Sequence, residues 1–140
     1  MPSQDLRDAS HRNLAVRSDE RGNLVAIEGG REVPFDIVRV YYLYGTAAGA
    51  ERGFHAHIRL RQMAIAVSGS CTMMLDDGTT RTDTRLDHPA VGVMIEPMVW
   101  HEMRDFSDDC VLLVLADAPY DEGDYIREFD QFVAAVADAR

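Results

Sequence analysis

Most of the chain alternates short runs rich in Val, Ile, Tyr and Thr with tight clusters of Gly, Asp, Asn and Ser. The runs are LVAIE (24–28), FDIVRVYYLY (35–44), QMAIAV (62–67), CTMMLD (71–76), TRTDTRL (80–86), VGVMI (91–95), VWHEMRDF (99–106) and CVLLVLA (110–116). Turn signals separate them at ERGN (20–23), EGGR (28–31), AAGAERG (47–53), SGS (68–70), DDGT (76–79) and DHP (87–89). This rhythm predicts an all-β antiparallel domain, sandwich or barrel. DDGT reads as a hairpin turn, because Asp-Gly supplies the positive φ that tight connections need.

The tail follows another period. Tyr125, Ile126, Phe129, Phe132, Val133 and Val136 recur at spacings of three and four, with Asp124 available as an N-cap. The pattern predicts one C-terminal α-helix over about 125–139, its aromatic stripe packed on the β-body and its far end soluble at Asp138 and Arg140. Before the first run, about residues 1–13 form a polar segment. Nothing along the chain reads as a linker or repeat, so 1–140 is expected to be a single domain.

Composition narrows the function. A formal net charge of -10 on 140 residues, with no basic stripe, argues against nucleic acid as a partner. The N-terminus lacks an apolar signal region and no stretch approaches the roughly 18 to 20 apolar residues of a membrane span, so a cytoplasmic protein without membrane attachment is expected. Cys71 and Cys110 lie inside apolar runs without CxxC spacing, which predicts buried, reduced thiols.

The candidate chemistry lies in GFHAHIRLRQ, residues 53–62. On a strand, His55 and His57 project from one face while Ala56 faces the other way. Side-by-side imidazoles suit a metal ion or proton transfer, and buried structural histidines are the third reading. His11 and His88 read as solvated surface residues. Counting outward, Gly49, His55, His57, Gln62 and Gly69 reproduce the spacing of the first motif of the cupin superfamily, G-x5-H-x-H-x3–4-E-x6-G, with Gln62 in place of the glutamate. Gly92, Pro97 and His101 loosely resemble the second motif. An amide brings a dipole where a carboxylate brings a charge, so Gln62 weakens any metal site built on His55, His57 and His101. Arg52, Arg59 and Arg61 cluster beside the pair, and Arg39 lies in the YYLY strand; guanidinium groups bind phosphate bidentately.

RVYYLY, ERGFHAHIRLRQ, SGSCTMMLDDG, PAVGVMIEPMVWHEMRDFSDDCVLLVLA and YDEGDYIREFDQF together resemble the nucleotide-sugar 3,4-ketoisomerases, the FdtA/QdtA or WxcM-like cupin family. The resemblance runs from about Asp19 to Phe132 and implies a double-stranded β-helix, or jelly roll, forming a homodimer. It further implies conversion of dTDP-4-keto-6-deoxy-D-glucose to the 3-keto sugar without metal or organic cofactor, in deoxyamino sugar biosynthesis. Carried onto this chain, His55 and His57 are the expected acid–base residues. The expected substrate contacts are Gln62, His101, a tyrosine of the YYLY strand (Tyr42 or Tyr44, with Tyr44 favoured), and Arg52, Arg59 or Arg127 at the pyrophosphate. Asn23 and Met103 are candidates for shaping the reprotonated face, and LVAIE for the dimer edge. Where many relatives have lysine, this chain has Ile58, leaving Arg59 to take over part of that task. The competing expectations are a metal-dependent cupin enzyme and a non-catalytic cupin that binds a sugar nucleotide.

Overall fold

The computed structural model describes residues 10–139. In chain order the strands are β1 (His11–Asn13), β2 (Arg17–Asp19), β3 (Gly22–Leu24), β4 (Arg39–Leu43), β5 (Arg52–His57), β6 (Gln62–Ser68), β7 (Cys71–Asp76), β8 (Arg81–Leu86), β9 (Val91–Ile95), β10 (Trp100–Arg104) and β11 (Val111–Ala116). A 3₁₀ turn (Glu122–Asp124), a short strand β12 (Tyr125–Ile126) and the helix α1 (Phe129–Ala139) complete the chain. Two five-stranded antiparallel sheets, ordered β1-β9-β6-β11-β4 and β12-β5-β10-β7-β8, form the expected all-β jelly roll of the cupin type with one C-terminal helix. The hairpin β2–β3 stands apart as a two-stranded ribbon of exposed residues.

Three apolar layers explain the sequence pattern. Between the sheets lie Ala64, Met73, Leu75, Val93, Leu112 and Val114, with Cys71 and Cys110 among them as buried free thiols. The outer face of the first sheet is covered by Leu14, Val33 and Phe35, which pack against Met63, Ile65, Met94 and Leu115. β6 and β9 are therefore buried on both faces, which is why QMAIAV and VGVMI show little polar alternation. On the second sheet, α1 lays Phe132 and Val136 onto Ala56, Met74 and Trp100.

DDGT closes the β7–β8 hairpin as expected: Asp76 pairs with Arg81, Gly78 takes φ +93°, and the Asp77 carboxylate accepts the Thr79 and Thr80 amides. Four boundaries differ from the sequence reading. LVAIE is not a strand beyond Leu24; Val25 and Ile27 are half-buried in an irregular segment that pads the outer layer and has no ladder partner. Alternation marked their burial correctly, but alternation does not require a neighbouring strand. Likewise β4 is confined to Arg39–Leu43, and Phe35 belongs to the outer layer. The polar N-terminal segment ends in a strand, since His11–Asn13 pair with Val91–Val93; residues 1–9 lie outside the described range. The helix starts at Phe129, because Tyr125 and Ile126 pair with His57 and Ala56 as β12.

Phe132 is fully buried against Ala56, the residue between His55 and His57. Phe132→Ala is expected to cost about 3–5 kcal/mol, of the size recorded for buried aromatic truncations. Chemical denaturation should read this as a lower midpoint at unchanged slope.

Candidate active site

The site begins with a break in a ladder. β10 pairs with β5 so that Met103 opposes Arg52 and Glu102 opposes Gly53, then the register shifts and His101 opposes His55. Phe54 is the extra residue, with φ +62°, and Gly53 beside it takes φ +91°. Any side chain at Gly53 would be strained by that φ, and its Cβ would lie 2.8 Å from the His101 carbonyl oxygen. The bulge turns Phe54 outward, and beyond it His55, His57 and His101 converge on the interior at one end of the barrel.

The three rings touch. Ring centroids are 4.9 Å apart for His55–His57, 4.5 Å for His55–His101 and 5.9 Å for His57–His101. His57 and His101 are buried, whereas His55 is half-buried near the Arg127 and Glu122 charges. Burial lowers the pKa of all three below the usual histidine range. For His57 it falls to about 4, with the neighbouring His55 adding to the effect and Asp124 opposing it. For His101 it falls well below 6.5, again by burial and then by repulsion from His55 and His57. For His55 burial lowers it while the Gly53 carbonyl works the other way. All three imidazoles are therefore uncharged near pH 7.

A cavity of about 180 Å³ opens onto His57, walled by Arg39, Arg59, Asp121, Asp124 and Tyr125. It is below the roughly 300–1,000 Å³ of pockets that enclose a drug-sized ligand, so it suits one ring of a larger molecule. Gln62 is fully buried; its Oε1 accepts the Tyr41 hydroxyl at 2.6 Å while its Nε2 has no partner. Burial pushes the Tyr41 phenol up to about 12, so it stays protonated as a donor.

The other expected residues divide. Tyr42 and Tyr44 are 61% and 73% exposed and lie against each other with tilted rings outside the barrel, while Tyr41 faces inward. Tyr44, the favoured expectation, follows β4 directly and is exposed to solvent; alternation alone leaves the two faces of the strand symmetric. Arg59 reaches Asp121 and Asp124 at 3.6 and 3.7 Å from an exposed position. Arg127 lies 4.2 Å over the Tyr125 ring and donates two hydrogen bonds to Glu122, both 2.8 Å. Arg52 is exposed at the start of β5. Met103 belongs to the inter-sheet core, and Asn23 is exposed on β3, where it accepts the Ser18 hydroxyl. His88 accepts the Ala90 amide in its turn, and His11 is part of β1.

Two residues escaped the sequence reading, and a third reads only as one of several arginines. Tyr125 was assigned to a helix stripe, yet its ring packs 4.8 Å from His55 and 4.4 Å from His57. Asp124, expected as a helix cap, is buried, and its carboxylate accepts the amides of Arg59 and Leu60 at 2.9 and 3.1 Å. Arg39 carries a buried Nε without a partner and lies 5.1 Å from the Tyr41 ring centroid. The sequence groups Arg39 with Arg52, Arg59 and Arg61 as a phosphate-binding candidate; Tyr125 and Asp124 leave no such signal.

The chain matches the family described as FdtA, WxcM-like, C-terminal, over residues 7–137. It is 52% identical over 119 residues to the TDP-4-oxo-6-deoxy-α-D-glucose-3,4-oxoisomerase of Aneurinibacillus thermoaerophilus, covering 85% of this chain and 86% of that protein. The chain belongs to the WxcM-like FdtA family. Two crystal structures are closely similar. A 3,4-ketoisomerase from Helicobacter canadensis superposes with TM-score 0.89 at 42% identity, covering 91% of this chain and 96% of its own. A His→Asn variant of the 3,4-ketoisomerase QdtA from Thermoanaerobacterium thermosaccharolyticum, in complex with TDP-4-keto-6-deoxyglucose, gives 0.90 at 39%, covering 92% and 94%. These FdtA-family relatives bear out the reaction class expected from the motifs, an isomerase of the TDP-sugar 3,4-ketoisomerase type.

The depressed His57 pKa has a thermodynamic consequence for this FdtA-family chain. Between about pH 4 and the ordinary value of 6.5 the unfolded chain binds a proton at this histidine that the folded chain does not, so stability is lost as pH falls through that window. Thermal midpoints measured across it should decline toward acid, and His57→Asn should flatten the decline.

Proposed function

We propose that this chain is a sugar-nucleotide 3,4-ketoisomerase acting on dTDP-4-keto-6-deoxy-D-glucose in deoxysugar biosynthesis, with residues 1–140 as one catalytic domain. The observation that carries the reading is a pair of uncharged, touching imidazoles, His55 and His57, of which His57 lines a cavity sized for one sugar ring. Moving the ketone takes a proton from C3, passes through an enediol and returns a proton to C4, while the O3 proton moves to O4. Neutral histidines suit both transfers. His55, the more exposed of the two, takes the C3 proton, exchanges it with solvent and protonates C4. His57, deeper, accepts the O3 proton and delivers it to O4. Each ring starts and ends neutral, so protons balance without an added acid or base.

The developing enediolate charge needs donors. The free Nε2 of Gln62, oriented by Tyr41, and the Arg39 guanidinium support that role. Arg52, Arg59 and Arg127 serve the pyrophosphate; Arg127 would have to share its fork with Glu122. His101 backs His55 from β10. A homodimer is part of the same reading, supported by the exposed apolar residues Val40 and Tyr42 on β4, at a sheet edge, and Val38 just before it. So is a cytoplasmic location, supported by two free buried cysteines; among the described residues no helix is long and apolar enough to cross a membrane. The net charge of -10 supports the absence of a nucleic-acid partner.

Incubation with dTDP-4-keto-6-deoxyglucose in D₂O, followed by NMR, should show the ketone moving to C3 with deuterium entering at C4. His55→Asn should lower turnover by roughly 10²- to 10⁴-fold, the usual contribution of a positioned acid–base group. Near-normal turnover would overturn the base assignment.

One observation favours a second reading. One ring nitrogen from each of His55, His57 and His101 lies within 4.8 Å of the others, a grouping able to hold a divalent cation. Ligand nitrogens about 2.0–2.1 Å from zinc would have to draw closer than that limit, and the fourth cupin position offers the Gln62 amide. Activity is expected to survive EDTA. Its loss, with return on adding one particular divalent ion, would favour the metal enzyme.

A further inference from the structure

We infer that Asp124 is a positioning residue for His57, holding the ring with its proton on Nδ1 so that Nε2 is the nitrogen that exchanges protons with substrate; this inference rests on the role proposed for His57. The local chain is built to deliver a carboxylate there. Asp121 caps the 3₁₀ turn by accepting the Gly123 amide at 3.0 Å, and the turn directs Asp124 inward against the end of β5. One oxygen of Asp124 accepts the Arg59 amide and the other the Leu60 amide, which fixes the carboxylate plane. The Leu60-bound oxygen, Oδ2, lies 3.5 Å from His57 Nδ1. That nitrogen is buried and has no hydrogen-bond partner within bonding geometry. A small rotation of the ring closes the gap, and catalytic hydrogen bonds are often long until substrate is bound.

The rest of the site shows the same chemistry. His55 Nδ1 faces the Gly53 carbonyl at 3.0 Å and His101 Nδ1 faces the Val99 carbonyl at 3.5 Å. Carbonyls and carboxylates only accept, so each neutral ring is held with hydrogen on Nδ1 and a lone pair on Nε2. Backbone does this for two rings. At His57 the equivalent carbonyl, two residues earlier at His55, makes no hydrogen bond to Nδ1, and a side chain from a segment far along the chain supplies the acceptor. A neutral acceptor would satisfy the two amides equally well. A carboxylate also stabilises the imidazolium that His57 becomes while it carries the O3 proton, which neither carbonyl does as strongly. With hydrogen on Nε2 instead, His57 would have no lone pair for that proton.

The direct test is two-bond ¹H–¹⁵N correlation NMR on the full chain labelled at histidine, at neutral pH and without substrate. His57 should appear with Nδ1 protonated and Nε2 bare, and Asp124→Asn should move it toward the other tautomer. A wild-type His57 protonated on Nε2, or an Asp124→Asn spectrum with unchanged tautomer, would overturn the inference. The wild-type spectrum decides even should the variant fail to fold. In turnover, Asp124→Asn should lower kcat on the order of 10²-fold with KM nearly unchanged. Placed in a His57→Asn background it should cost almost nothing more, whereas an equal further loss there would mean a purely structural role. A wild-type protein that gives the expected tautomer but moves no ketone would instead sink the ketoisomerase reading.

Discussion

The site depends on the pairing of β5 with β10. A regular ladder would carry the Glu102–Gly53 pairing one step on and set His101 opposite Phe54; the single extra residue at the bulge brings His101 opposite His55 instead. The cost is local backbone strain, with Phe54 at φ +62° beside a glycine whose missing Cβ leaves room for the His101 carbonyl. The surrounding packing sustains it. β10 is also held along its whole length by β7, from Trp100–Asp76 to Arg104–Thr72, so the strand bearing His101 cannot slide to relieve the bulge.

Burial then decides the chemistry. Imidazoles this close cannot all be charged, and desolvation already holds them neutral, which makes them bases in waiting. The proposed substrate carries the opposite problem, a dianionic pyrophosphate approaching a protein of net charge -10. Local cations offset that field. Arg39 and Arg59 line the cavity, Arg127 lies over the Tyr125 ring of its wall, and each has aromatic or carboxylate neighbours that hold it in place.

Residues 121–127 act as a strap across the open end of the barrel. One short segment supplies the buried Asp124, the Tyr125 ring over the histidines and the Arg127–Glu122 pair. The helix that follows buries Phe132 against the back of β5, so the strap is anchored on both sides of the histidine strand. Positions three and four apart in this region resemble a helix in sequence. β5 has a free edge at His57 and Ala56, however, and extended backbone at Tyr125 and Ile126 satisfies it.

Sequence by itself determined the strand rhythm, the jelly roll, the shared face of His55 and His57, the nearby arginines and the family with its reaction. The rhythm, the shared face and the arginine cluster are matters of local period and spacing, since a strand's period of two puts i and i+2 on one face whatever surrounds it; the jelly roll and the reaction followed from the family resemblance. Tertiary structure alone decided which face of the YYLY strand looks inward, selecting Tyr41 over Tyr44, and that Val25 and Ile27 cover a sheet without joining one. It also decided that Asp124, 67 positions after His57, approaches that ring's Nδ1. The reason is physical: inward and outward are properties of a closed barrel, and a carboxylate becomes the partner of an imidazole only when folding removes the water that would otherwise solvate both.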